Sequence, residues 1–204
     1  MKKIAVIDYG MCNLDSVARA LEKCGAEPIV TGVASVVEDA DAIVLPGVGA
    51  FCDAMKELEA RSLISILRRR VLEQEIPFLG ICLGMQLMAD WGYEGGKNEG
   101  LGLISGEVVR FKPNYPEIRI PHIGWNEVQQ SVNSLIFKNI PDAADFYFVH
   151  SHHFQCSDEY VIGRTRYCGE FISAIQNNNC FGVQFHPEKS QKSGLQLLIN
   201  FCSC

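Results

Sequence analysis

The stretch Ile76-Pro77-Phe78-Leu79-Gly80-Ile81-Cys82-Leu83-Gly84-Met85-Gln86-Leu87-Met88 decides how this chain is read. A short apolar run leads into Gly-x-Cys-x-Gly and then into residues that favour helix. That pattern predicts a strand, a sharp turn carrying an exposed nucleophile, and a helix whose N-terminal dipole favours a thiolate. The flanking glycines let neighbouring backbone come close to the turn. A nucleophile needs a base and the base needs an orienter. Gln184-Phe185-His186-Pro187-Glu188 offers both, so Cys82, His186 and Glu188 are the candidate catalytic set. The alternative for Cys82 is a buried structural cysteine, and for Glu188 a solvated loop acid.

Upstream of the turn, apolar segments alternate with helical patterns. Strands are expected at Ile4–Ile7, Pro28–Val30, Ala42–Leu45 and Phe78–Gly80. Helices are expected near Leu14–Lys23 and over Cys52–Gln74, the latter broken near Arg61-Ser62. Such alternation implies parallel strands with helices on both faces, and ligands then sit at the carboxyl ends of the strands. Asp8, Pro46-Gly47 and Cys82 each follow a strand, so one sheet edge collects them. Downstream, the loop Gly95–Gly100 precedes strand-like runs at Gly106–Phe111, Asn126–Gln129, Phe146–His150, Tyr160–Tyr167, Ile172–Gln176 and Cys180–Phe185, with a final helix at Ser193–Phe201. The expectation is an α/β fold in a single domain, residues 1–204. Its central sheet is mainly parallel, with antiparallel strands added in the second half that return His186 to the edge holding Cys82.

Composition narrows the function classes. The chain has 204 residues, 48% of them hydrophobic, enough for one cored domain and short for two. The net charge of −6 and the absence of a basic stripe argue against nucleic acid, and Arg68-Arg69-Arg70 is read as a solvated helix face. No apolar run approaches the roughly 20 residues of a membrane span, and Met1-Lys2-Lys3 does not lead into a signal peptide. Nine cysteines, an odd number without a CxxC, suggest reduced thiols and a cytoplasmic setting. Cys202-x-Cys204 and the His150/His152/His153 group lack recognisable metal spacing, so no metal and no cofactor is expected.

Taken together, Gly-Ile-Cys-Leu-Gly-Met-Gln, Phe-His-Pro-Glu and Leu45-Pro46-Gly47-Val48-Gly49 resemble the class I (triad-type) glutamine amidotransferases, which have a flavodoxin-like sheet. Asp8-Tyr9-Gly10 with Asn13, Pro121-His122-Ile123-Gly124-Trp125-Asn126 and Phe146-Tyr147-Phe148-Val149-His150-Ser151 make the chain similar to the glutaminase-subunit family of imidazole glycerol phosphate synthases, over Ile4 to Phe201. The resemblance implies a glutamine substrate and transfer of the ammonia to a (β/α)8 barrel cyclase in a heterodimer. That partner would make imidazole glycerol phosphate and AICAR in histidine biosynthesis.

The chemistry requires two oxyanion donors. Leu83 N–H, next to the nucleophile, supplies one, and the Gly47-Val48-Gly49 peptides are the natural source of the other. Their glycines make this loop a plausible on/off switch; an ordinary strand-to-helix turn is the alternative. Gln86 lies one helical turn beyond Cys82 and faces the same pocket. By resemblance it contacts the amino-acid end of glutamine together with backbone groups of Ser151 and His152; many relatives carry an aromatic at His152. Asn13, His122, Trp125 and Lys189 are expected on the docking face. Trp125 is either a hot spot there or a core aromatic closing a strand turn. Three other readings share parts of this pattern: a paralogous glutaminase feeding another synthase, a partner-independent elbow-cysteine hydrolase, and a non-catalytic binding module. Met11-Cys12, where relatives carry small residues, bears on docking rather than on catalysis.

Overall fold

The computed structural model describes residues 1–113, 117–131 and 134–204. Thirteen strands are present among them: β1 (Lys3–Ile7), β2 (Glu27–Thr31), β3 (Ala42–Gly47), β4 (Phe78–Cys82), β5 (Trp91–Gly92), β6 (Asn98–Glu99), β7 (Glu107–Arg110), β8 (His122–Gln130), β9 (Ala144–His150), β10 (His152–Gln155), β11 (Val161–Tyr167), β12 (Gly169–Asn177) and β13 (Cys180–Val183). The helices are α1 (Leu14–Lys23), α2 (Ala34–Glu38), α3 (Phe51–Ala60), α4 (Leu63–Arg68), α5 (Leu83–Leu87) and α6 (Gln191–Cys202).

The sheet runs β2-β1-β3-β4-β13-β12-β10-β7-β5-β6. Its first five strands are mutually parallel, and β12, β10 and β7 continue it in antiparallel fashion. The strands β11, β8 and β9 extend from β12 as an antiparallel flap. The central strands β3 and β4 are buried on both faces, which is why they read as continuous apolar runs rather than as alternation. Their side chains divide between two cores. Ile7, Ile43, Leu45 and Phe78 pack under α2–α5, while Val6, Val44, Leu79 and Ile81 pack under α1 and α6.

Local chemistry sets the element ends. Helix α1 buries Val17, Ala20 and Leu21 at helical spacing and gives way to Gly25 at φ +83°, a left-handed position suited to glycine. The long helical stretch breaks at Arg61-Ser62 as expected, Ser62 being left-handed at φ 57°, and its last turn widens into a π-helix over Arg69–Glu73. The arginine run is not simply solvated. Arg68 donates to the Leu101 and Gly100 carbonyls, Arg69 pairs with Glu38, and Arg70 reaches Gln74. The structure adds α2, β10 and the small β5–β6 hairpin, and starts β8 at His122, four residues earlier than the apolar run suggests. No helix among the described residues is long and apolar enough to cross a membrane. All nine cysteines are free thiols.

Register delivers the candidate residues to one place. Gly47 of β3 lies directly opposite Cys82 of β4, and Val183 of β13 lies opposite Ile81. The chain leaving β13 therefore carries Gln184-Phe185-His186 just past the level of Cys82. His186 N–H is tied to the Tyr147 carbonyl at 2.9 Å. Three neighbouring parallel strands thus end in the Gly47–Gly49 loop, at Cys82 and just before His186.

Candidate active site

The turn after β4 is held in a conformation that most residues avoid. Cys82 has φ 54° and ψ −108°, a non-glycine residue at positive φ, as a nucleophile turn demands. The neighbouring glycines are required by proximity rather than by φ. A Cβ on Gly84 would lie 1.7 Å from the Leu45 carbonyl oxygen, and one on Gly80 would lie 2.7 Å from the Gly84 carbonyl oxygen. The helix that follows is shorter than expected. With only Leu83–Leu87 it is little more than one turn, so its dipole is a small contribution at the thiol.

His186 Nδ1 and Glu188 Oε1 are 2.8 Å apart, and both side chains are buried, 3% and 1% exposed. A carboxylate at Nδ1 holds that nitrogen as the donor and leaves Nε2 for chemistry. Nε2 is itself buried and has no hydrogen-bond partner among the described residues. Burial disfavours the imidazolium, but the Cys82 sulfur and the Glu188 carboxylate more than offset it, and the His186 pKa is raised to about 9. His186 and Glu188 are hydrogen-bonded, and the Cys82 sulfur lies near enough to raise the His186 pKa while contacting the Val149 carbonyl at 3.8 Å.

A cavity of about 280 Å³ opens beside Cys82, lined among others by Val48, Gly49, Leu83, Gln86, Ser151 and His152. Gln86 Nε2 donates to the His152 carbonyl at 3.1 Å and to Gln184 Oε1 at 3.0 Å. The His152 ring leans on Glu94 at 3.6 Å; burial lowers its pKa and Glu94 works against that. Sequence reasoning missed Gln184 and Glu94. Gln184 is fully buried, with Nε2 3.7 Å from Cys82 Sγ. Its only sequence signal is its place two residues before the base.

The two backbone N–H groups expected as oxyanion donors differ in their partners. Leu83 is the first residue of α5, so its N–H has no intrahelical partner. Val48 N–H is engaged elsewhere, donating to the Met11 carbonyl at 2.8 Å. The same loop is pinned at its start by Tyr9, whose hydroxyl donates to the Pro46 carbonyl at 2.9 Å, and by the Cys12 thiol at 3.3 Å from that oxygen.

Of the four residues expected on a docking face, Asn13, Trp125 and Lys189 are exposed, Trp125 by 47%. Trp125 sits edge-on to Tyr147, and the Lys189 ammonium lies over the same Tyr147 ring. The reading of Trp125 as a core aromatic is set aside. His122 is a correction: it is 2% exposed and points inward, because strand alternation puts it on the face opposite Ile123 and Trp125.

Residues 5–203 match the family described as glutamine amidotransferase class-I. The chain is similar to "Imidazole glycerol phosphate synthase subunit HisH 1" of Campylobacter jejuni subsp. jejuni serotype O:23/36 (strain 81-176), 48% identical over 97% of this chain and 98% of that protein. It is also similar to "Imidazole glycerol phosphate synthase subunit HisH" of Moorella thermoacetica, 46% identical over 98% of this chain and 94% of that one. Among solved structures, PurLQS from Thermotoga maritima superposes with a TM-score of 0.76 at 22% identity, covering 100% of this chain and 99% of that one. A structure described as glutamine amidotransferase also gives 0.76, at 17% identity, covering 98% and 99%. Those two structural likenesses bear on the fold alone.

Proposed function

This chain belongs to the class I glutamine amidotransferases, and from that premise we propose that it hydrolyses glutamine through Cys82, His186 and Glu188 as the ammonia-supplying subunit of an imidazole glycerol phosphate synthase. The observation that carries the reading is the buried His186–Glu188 pair, with Nε2 left unpartnered next to a thiol on a strained turn.

The Cys82 thiolate attacks the carboxamide carbon of glutamine and forms a tetrahedral intermediate. His186 gives its proton to the departing ammonia, then takes one from water as that water attacks the thioester. Glu188 keeps Nδ1 protonated and stabilises the imidazolium between these steps. Gln86, with backbone groups of Ser151 and His152, holds the amino-acid end of the substrate. The Leu83 and Val48 N–H groups receive the oxyanion once Val48 N–H leaves the Met11 carbonyl. A missing donor of this kind costs about 3–4 kcal/mol in the transition state, so the loop sets the rate without disturbing the triad.

Ammonia released to water is mostly protonated and lost as a nucleophile. A chain with a full glutaminase set therefore needs an acceptor enzyme docked to it, and the relatives named as synthase subunits support a barrel cyclase in that place, with histidine biosynthesis as the setting. Asn13, Trp125 and Lys189 are the proposed docking residues, on a cytoplasmic protein with reduced thiols. Complementation of a glutaminase-deficient histidine auxotroph tests the assignment. Growth on minimal medium with a non-ammonium nitrogen source is expected with the wild-type chain and not with Cys82→Ala. Failure of the wild-type chain, with glutaminase activity intact, would point to a paralogue serving another synthase.

A further inference from the structure

His122 and His150 are cross-strand partners on β8 and β9, buried in a cluster with Phe111, Phe148, Tyr167 and Phe171. Phenylalanine would fill either position, since His122 already stacks on Tyr167 with centroids 3.9 Å apart. What the imidazoles add is direction. His150 Nδ1 lies 2.8 Å from the His152 carbonyl, which can only accept, so Nδ1 carries the proton. In the neutral ring Nε2 then accepts, and it faces His122 Nδ1 at 3.0 Å, which must donate. His122 Nε2 in turn accepts from Asn126 Nδ2 at 3.2 Å. The Asn126 amide is oriented independently, because its Oδ1 takes the Glu127 N–H at 2.9 Å and its Nδ2 also reaches the Arg166 carbonyl at 2.9 Å. Burial favours the neutral rings, taking His122 to about 4 and His150 to about 3.

The chain ends where the substrate would sit. The His152 carbonyl that receives the His150 proton also receives Gln86 Nε2, and Gln86 leads through Gln184 to the Cys82 sulfur. We propose that His122 and His150 are positioning residues for the glutamine pocket, a one-way hydrogen-bond chain from Asn126 that fixes the His152 carbonyl and through it the Gln86 side chain. This rests on reading the cavity beside Cys82 as the glutamine site. Neither ring is a catalytic residue.

Two measurements test it. Nitrogen-15 spectra of the intact chain at neutral pH should show both imidazoles as neutral Nδ1–H tautomers. An Nε2–H tautomer or an imidazolium at either position overturns the chain of donors, whatever the protein's activity. For function, His150→Phe and the double variant His122→Phe/His150→Phe keep the ring shape. The double variant also avoids stranding one buried donor, so it is expected to fold. Glutamine KM should rise roughly tenfold with kcat within about twofold, as for loss of one buried hydrogen-bonded support. Cys82 should be alkylated by iodoacetamide at the wild-type rate. His150→Asn, which keeps a donor near the His152 carbonyl, should recover part of the KM. An unchanged KM in the folded double variant, or a joint fall in kcat and alkylation, overturns the positioning role.

Discussion

Gly47 and Cys82 are paired across β3 and β4, yet the two turns they begin are in different states. On the Cys82 side the proposed parts sit together: the strained thiol, the His186–Glu188 pair, and Leu83 at the first position of α5, with Cys82 Sγ 3.8 Å from the Val149 carbonyl. On the Gly47 side the Val48 peptide, proposed as the second oxyanion donor, gives its N–H to the Met11 carbonyl. The elbow is locked by backbone contact, since Gly84 has no room for even a Cβ against Leu45. The loop is held by individual hydrogen bonds and contains Gly49 at φ +107°, a glycine that can take up other backbone conformations at little steric cost. Under the proposed function, a fixed nucleophile turn beside a reorientable donor would let the triad stay intact while turnover is low, a difference in populations rather than in parts.

The elbow side predicts the largest effects. Cys82→Ala should remove glutamine turnover by about 10⁴-fold or more while leaving ammonia-dependent synthesis by the complex unchanged, and both activities can be read on one preparation. His186→Ala should match it, and residual turnover within tenfold of wild type would sink Cys82 as nucleophile. Glu188→Ala should be roughly two orders of magnitude milder, because an orienter contributes less than the groups it orients.

The loop side predicts smaller losses that spare the thiol. A Cβ on Gly47 would meet the Tyr9 hydroxyl at 2.1 Å. Gly47→Ala should therefore lower partner-stimulated turnover by at least about tenfold with Cys82 alkylation unchanged. Equal loss of both would mean the two turns are not separable. Trp125→Ala should weaken association with the cyclase by about 2 kcal/mol, near 30-fold in Kd, without altering basal turnover.

The smallest effect is on stability. His122 and His150 have folded pKa values below the usual 6.5, so the unfolded chain binds more protons from pH 6.5 down to about 4 for His122 and about 3 for His150. Stability from these two groups is full above pH 6.5 and falls with pH through that window. Denaturant midpoints measured from pH 7 to pH 4 should decline less steeply in the double phenylalanine variant than in wild type.

The strained turn at Cys82 and the His186–Glu188 pair were legible because their requirements are local: Gly-x-Cys-x-Gly after a strand, and a His and a Glu two residues apart. The parallel half of the sheet was legible too, since doubly buried strands appear as apolar runs. What escaped depends on pairing. Gln184 reaches Cys82 only through the β13–β4 register, and Glu94 enters the pocket from the turn of a two-residue hairpin. Helix α2 has five residues and no side-chain cap, too little pattern to read. Alternation along His122-Ile123-Gly124-Trp125-Asn126-Glu127-Val128 puts His122 on the side of buried Val128 and Trp125 on the other.

Under the proposed function, the triad is preformed and the oxyanion loop is not. Glutamine hydrolysis by the full chain, measured alone and then with a barrel cyclase and its bound ligand while Cys82 alkylation is followed in parallel, tests this most directly. Turnover is expected to rise by about 10²–10³-fold, the weight of one oxyanion donor, with alkylation nearly unchanged. Equal turnover in both states, or a rise matched by a rise in thiol reactivity, would contradict it.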